Sequence, residues 1–421
     1  MTDIDAFVAT HISREGPPAV IADPEPRRVR WPLVSVDDHL LEPRDTFEGR
    51  MPRNLRDRAP RIVERDGMEY WLFEDQLVSI SGGNVMKSWD AAEMYTGPVR
   101  YDQMRTGAWD VDARVRDMDI AGMYASLCFP SMVFGFAGRR FMRMKDRELG
   151  LAALRAYNRW ILEEWAGRHP DRLIPSQVSC LWDPEVAARE IRRNAELGFR
   201  SVTFSENPEN LGLPSLYSDH WDPFFRACEE TGTVVNLHVG SSGQTMLPSK
   251  DSPSEVLSAL FTVSALASAV DWVFAKIPVR FPGLRIVLSE GGIGWVPMLL
   301  DRLDYIAGEY VPGGMTDTWV GVRESPREVL LRNFWFAAYY DPSTIGRLDE
   351  DVLAHVMHEA DYPHADSAWP DTQEILRPQF QGLDPQVTEA VTFRNACALY
   401  GHPLPPQGWA GSQATARDEA A

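Results

Sequence analysis

The stretch LVSVDDHLLEP at residues 33–43 sets Asp37 and His39 two positions apart. In an extended strand side chains alternate, so these two share one face and Asp38 takes the other. A carboxylate beside an imidazole at the end of a buried strand is costly unless something compensates it. A divalent cation would do so, and so would a simple hydrogen bond between the pair. Three further stretches end in matching groups. VVNLHVG delivers His238 before the turn at 240–243, RIVLSEGG delivers Glu290 before Gly291-Gly292, and HEADYPHADSAWP delivers Asp361 with His364 three residues on. Read as strands, their parity places Asn236 with His238, Ile286 and Leu288 with Glu290, and Glu359 with Asp361 on inward faces. Brought together, Asp37, His39, His238 and Asp361 offer two imidazoles and two carboxylates. That mixed nitrogen and oxygen set suits zinc first, then manganese and similar ions, rather than calcium.

Such a convergence needs strands that are neighbours in space. Eight strand candidates occur at about residues 33–39, 124–130, 173–180, 201–206, 234–239, 285–291, 333–340 and 355–361, and helices separate most of them. One helix is punctuated at both ends, by Asp183-Pro184 at its start and Gly198 at its close. Regular β-α alternation predicts an α/β fold with a parallel sheet. Eight units fit a (β/α)8 TIM barrel, whose chemistry sits at the C-terminal strand ends. An open doubly wound sheet would want a glycine-rich phosphate loop after strand one, and DDHLLEP is nothing like one.

The expected organisation is an N-terminal arm over 1–30, a barrel over 31–403 and a disordered tail over 404–421. An inserted segment over 46–109, rich in aromatics and glycine, covers the barrel and carries a small hairpin near 70–80. A net charge of −19 over 421 residues argues against nucleic acid and anionic membranes as partners. The start MTDIDAFVATHISREG lacks the basic-then-apolar pattern of a secretion signal, and no run approaches about 18 uninterrupted apolar residues. Cys128, Cys180, Cys228 and Cys397 are scattered with no C-x-x-C, as free buried thiols in a reducing compartment would be. A cytoplasmic enzyme that forms a homodimer or a higher homo-oligomer, as the proline-rich arm suggests, is the expectation.

The Asp-x-His opening, HVGSSG after His238, FPGLRIVLSEGGIGWVP and DYPHADSAWP together resemble the amidohydrolase-related family. Its members include metal-dependent decarboxylases such as aminocarboxymuconate semialdehyde decarboxylase and γ-resorcylate decarboxylase. The similarity runs from about residue 33 to 400. It implies one metal held by Asp37, His39, His238 and Asp361, with Asp361 also handling protons. Two positions depart from the pattern. Many relatives open with His-x-His, and most carry a histidine where this chain has Glu290. Glu290 can shuttle a proton, but as an anion it would repel a substrate carboxylate.

The expected activity is decarboxylation of an aromatic or unsaturated cyclic carboxylic acid, with Asp361 and Glu290 as the catalytic pair. Hydrolysis of an amide, lactone or ester is the alternative, and a non-catalytic barrel subunit is the second. His364 and Trp369 are candidates for substrate contact. Glu42 and His220 are candidates to support the ligands from behind, with a solvated glutamate and a helix-capping histidine as the bland readings.

Overall fold

The computed structural model describes residues 2–3, 16–93, 95–249, 251–308 and 318–411. Its central sheet is parallel throughout. The strands are β1 (Leu33–His39), β2 (Met123–Phe129), β3 (Leu173–Ile174, resuming after Pro175 as Ser176–Val178), β4 (Ser201–Phe204), β5 (Val234–His238), β6 (Ile286–Ser289), β7 (Phe334–Ala338) and β8 (Val356–His358). Each pairs with its successor, and β8 returns to β1 through His358 opposite Ser35. The first half of β3 pairs with β2 and the second half with β4, so the order closes into an eight-stranded ring. Proline at 175 fits the break, because it has no N–H to give to a ladder.

The ring is lined and wrapped as its sequence dictates. β1 is buried at every position, as a parallel strand covered on both faces should be. Asp110 and Asp183 cap the helices Val111–Ala121 and Pro184–Leu197 through Ala113 N and Val186 N, and Gly122 and Gly198 close them in left-handed conformation. The stretch Ser254–Phe274 has a mean hydropathy of 1.7 and would suffice by length and composition to cross a membrane. Here it forms two consecutive helices, Ser254–Ala259 and Phe261–Phe274. The second lays Ser264, Ala265, Ser268, Ala269, Trp272 and Val273 on the barrel wall.

The segment before β2 is richer than the expected hairpin. Arg61–Arg65, Met68–Phe73 and Gln76–Ser79 make a three-stranded antiparallel meander. Trp71 and Phe73 pack from it onto Phe134 at centroid distances of 5.2 Å each. Two strands stop earlier than their apolar runs suggest. β6 ends at Ser289 and β8 at His358, so Glu290, Glu359 and Asp361 lie beyond the ladders. Strand alternation therefore does not aim Glu290 or Asp361. Both sit instead at positive φ, 60° and 50°.

Candidate metal centre and active site

β1 and the loop after β8 are stitched together where the chemistry gathers. Asp361 N donates to the Asp37 carbonyl at 2.9 Å, and His39 N donates to the Tyr362 carbonyl at 2.7 Å. Asp38, on the opposite face of β1, accepts from Tyr362 N at 2.9 Å and from the Ser126 hydroxyl. Asp37 and Asp361 are thus brought level by backbone bonds, and β5 sets His238 against them from across the ring.

The four expected ligands meet. His238 Nε2 lies 3.0 Å from His39 Nε2 and 3.4 Å from Asp37 Oδ2. His39 Nε2 lies 3.5 Å from Asp37 Oδ1 and 3.3 Å from Asp361 Oδ1. All four residues are buried. His238 Nδ1 faces the Val239 carbonyl at 2.6 Å; donating there leaves the Nε2 lone pair for the cluster. Both carboxylate oxygens of Asp37 and of Asp361 are buried without a hydrogen-bond partner. Orphaned carboxylate oxygens around two converging imidazoles are what a divalent cation would satisfy, so the residues present fit the metal their types imply. Asp37, His39 and His238 form one group with metal-ligand spacing, and His39, Asp361 and His364 form a second that shares His39.

His364 stands at the centre's edge. Its Nδ1 is 3.2 Å from Asp361 Oδ1, its ring stacks on His39 at 3.7 Å and 18°, and its buried Nε2 has no partner. Glu290 reaches His238 Nδ1 with Oε2 at 3.5 Å. Its backbone N–H donates to Glu359 Oε2 at 2.9 Å. Glu290, Glu359 and Asp361 border a cavity of about 130 Å³ with Phe261, Tyr339 and Asp366.

Burial and crowding set the charges. Asp37 is pushed well above the usual carboxylate range by burial, then by Glu359, Asp361 and Glu290. Glu290 is raised in the same way, by burial and then by Asp361 and Asp366. Burial would raise Asp361 too, but His364 and His39 outweigh it and hold this carboxyl below its ordinary value. Burial, then the neighbouring imidazole of His364, lowers His39 to about 4. Neutral imidazoles are the form that binds a metal.

Three sequence candidates lie elsewhere. Trp369 is buried, donating Nε1–H to the Asp117 carbonyl at 2.8 Å beneath the Arg105 guanidinium, which sits 4.4 Å above its ring. It is a packing residue rather than a substrate wall. Glu42 touches no ligand; it accepts from Ser131 N, Ser131 Oγ and Tyr157 Oη, tying the loop after β1 to the loop after β2 and to the helix Arg147–Trp160. His220 packs edge-on to Trp221 at 4.8 Å, and the helix Asp222–Thr231 has no side-chain cap. Its position before a helix start mimicked a cap. Sequence reasoning missed Glu359, whose parity it used without assigning it a role. It also missed Phe136, whose ring lies 4.1 Å from His238 and 4.8 Å from His39. Phe136 comes from an irregular loop and carried no periodic signal.

Comparison with known proteins agrees with this architecture. The amidohydrolase family model matches residues 58–402. A γ-resorcylate decarboxylase of Rhodococcus jostii (strain RHA1) is 29% identical over 225 residues, 49% of this chain and 63% of the relative, so the match spans under two thirds of that protein. Among solved structures, an amidohydrolase of Mycobacterium avium subsp. paratuberculosis K-10 superposes with a TM-score of 0.68 at 21% identity, covering 89% of this chain and all of the other. A 5-carboxyvanillate decarboxylase of Novosphingobium aromaticivorans DSM 12444, in complex with manganese and 4-hydroxy-3-methoxy-5-nitrobenzoic acid, gives 0.61 at 17% identity over 90% of this chain and 100% of its own. These likenesses establish the shared fold, and the family model spans most of the ring and the loops that carry His238, Glu290 and Asp361. The chain belongs to the amidohydrolase family.

Proposed function

We propose that the protein is a metal-dependent carboxy-lyase that removes CO2 from an aromatic or unsaturated cyclic carboxylic acid. The observation that carries this is the buried set Asp37, His39, His238 and Asp361, with four carboxylate oxygens left unsatisfied at one point. The similarity to decarboxylases of hydroxylated aromatic acids supports the choice of reaction. When bound, a divalent ion would supply positive charge that orients the acid and stabilises electron density as the carbon–carbon bond breaks. Zinc and manganese both suit the donor set.

The chain's own groups divide the remaining work. Asp361 and Glu290 are pushed in opposite directions, the pattern that separates a carboxylate from a carboxylic acid at one pH. Glu290 holds the proton and gives it to the ring carbon that loses CO2. Protonated, it also ceases to repel an incoming carboxylate. Asp361 stays ionised and is kept in place by His364 Nδ1. Phe136, packed on both imidazoles, keeps water off one side of the site.

The test is incubation of manganese- and zinc-loaded protein with hydroxybenzoates, heteroaryl acids, cyclic amides and lactones in isotopically labelled water. Ring deuteration with CO2 release is the expected result. Oxygen incorporation into a product carboxylate would replace the lyase by a hydrolase. Asp361→Asn should lower turnover by at least about a hundredfold. Near-normal activity in that variant would remove Asp361 from the mechanism.

A further inference from the structure

The helix Phe261–Phe274 is turned inside out for a helix at the surface of a barrel. Ser264 and Ser268 face the wall and are buried, while Val263, Leu266, Val270 and Phe274 stand half-exposed and Ala267 is exposed. These five fall at i, i+3, i+4, i+7 and i+11, so they make one stripe along the outer side. A solvated helix face carries polar residues; an apolar one belongs to a helix that is covered. Together with the preceding Ser254–Ala259 the stretch has a mean hydropathy of 1.7, yet only 33% of that apolar window is buried inside the molecule.

The surroundings extend the patch. Nine large apolar side chains stand exposed among the described residues, and four of them adjoin this helix. Tyr217 and Met246 border a groove of about 280 Å³ along one flank, with Ala267 on its helix side. Tyr340 stands with Thr262 on the other flank, and Val320 follows Trp319, whose ring packs on Phe274 at 5.6 Å. The 21 residues rise about 31 Å, and a helix with its side chains is about 10–12 Å across. With exposed neighbours on both flanks the face comes to about 700 Å². Scattered apolar side chains need no explanation, but a continuous patch of that size marks a contact surface.

We propose that a second copy of this chain covers the face, in a twofold dimer whose two Phe261–Phe274 helices cross near Ala267. Charge selects that occupant. From Val256 to Phe274 the only ionisable side chain is Asp271, and its Oδ1 already accepts from Tyr217 Oη at 2.8 Å. Two chains of net charge −19 repel each other wherever acidic groups meet, and this helix brings no others to the contact. A basic partner protein would find no row of carboxylates here. An anionic bilayer is repelled by the chain and finds no Lys or Arg beside the stripe. The area agrees, since a stable interface takes about 800 Å² from each partner. Small Ala267 in the middle of the stripe lets two helices approach closely. The proline-rich arm does not supply this contact, because its described residues bind their own barrel. Ile21 N donates to the Ser88 carbonyl at 3.0 Å and Arg27 N to the Ile120 carbonyl at 2.8 Å.

The experiment is sedimentation equilibrium of the full-length chain as wild type, Ala267→Glu, Ala267→Lys and an equimolar mixture of the two variants, with circular dichroism to check each fold. Wild type should be a dimer, or an assembly of dimers. Each variant alone should dissociate at least about a hundredfold more readily, because like charges then face each other across the axis, and the mixture should recover the dimer. A monomeric wild type overturns the proposal, as does a dimer that both variants leave intact. Variants that dissociate and do not recover on mixing overturn it too, since their effect then does not act across a twofold. Hydroxyl-radical footprinting of wild type asks the same question without a substitution. Tyr217 and Met246 should be oxidised faster once the protein is diluted below its dissociation constant, and rates indifferent to dilution overturn the assignment. Vesicles of equal phosphatidylcholine and phosphatidylserine test the other occupant. Wild type that sediments with them, where Ala267→Glu does not, would replace the second copy by a membrane.

Discussion

At the scale of single residues, the site is a set of charges whose forms are decided by what surrounds them. Glu42 shows this away from the metal ligands. Burial raises it from 4.5 to about 7, against the bonds it accepts from Ser131 and Tyr157. A raised carboxyl holds its proton in the folded chain where the unfolded chain has lost it. Its contribution to stability is thus fully present below pH 4.5 and declines as the pH rises through 7, by at most about 1.4 kcal/mol per pH unit. Glu206 and Asp38, each raised to about 7 by burial, add slopes of the same sign. Glu42→Gln should therefore flatten, without abolishing, the fall in unfolding free energy between pH 5 and 7 measured by urea denaturation. An unaltered slope would mean that Glu42 is ionised in both states. Residue types and spacing made Asp37, His39, His238 and Asp361 legible, because each falls at the C-terminal end of a strand candidate, where a barrel gathers its chemistry. Glu42, His220 and Trp369 satisfied the same kind of reasoning and lie elsewhere. A glutamate, a histidine or a tryptophan near a mouth has many hydrogen-bond partners other than a ligand, and spacing does not choose among them.

At the scale of elements, the loops beyond β6 and β8 are where the sequence was least informative. Periodicity located the strands but not their last residue. Glu290 and Asp361 then turn on left-handed backbone, a conformation that costs about 1–3 kcal/mol per residue and persists only where the surroundings hold it. Part of that hold comes from the helix Phe261–Phe274. A Cβ added at Gly291 would lie 2.3 Å from Ala265 Cβ, far inside contact distance. Two small residues let the helix approach the loop that presents Glu290. Gly291→Ala should destabilise the protein by about 1–3 kcal/mol and lower turnover, because helix or loop must shift. The double variant Gly291→Ala with Ala265→Gly should recover much of the turnover, less about 1 kcal/mol of stability for glycine inside a helix. Equal damage in the single and double variants would show that the contact does not position Glu290. Neither residue carried a signal in the sequence, since a close approach between two small side chains is a property of the pair.

At the scale of the whole molecule, the ring joins what the chain separates. Asp37 and Asp361 stand 324 positions apart and are held level by β1 and the loop after β8. The fold therefore stores carboxylate repulsion at the point where β1, β5, β6 and the end of β8 converge, and a bound dication would turn that repulsion into attraction. The consequence is a change of sign. Without metal, Asp37→Asn removes a carboxyl whose ionisation is opposed by burial and then by Glu359, Asp361 and Glu290, so the variant should melt higher than wild type. With manganese at about a hundred times its dissociation constant, wild type should gain about 2.7 kcal/mol by mass action. Asp37→Asn, short of one charged ligand, should gain much less, and the order of the two melting temperatures should reverse. Thermal scans of both proteins across a manganese series, started from chelated samples, measure the two limits and the crossing between them. Curves that keep one order at every metal concentration would mean that Asp37 does not bear on the ion, and the assignment of the ligand set would have to be rebuilt around His39, Asp361 and His364.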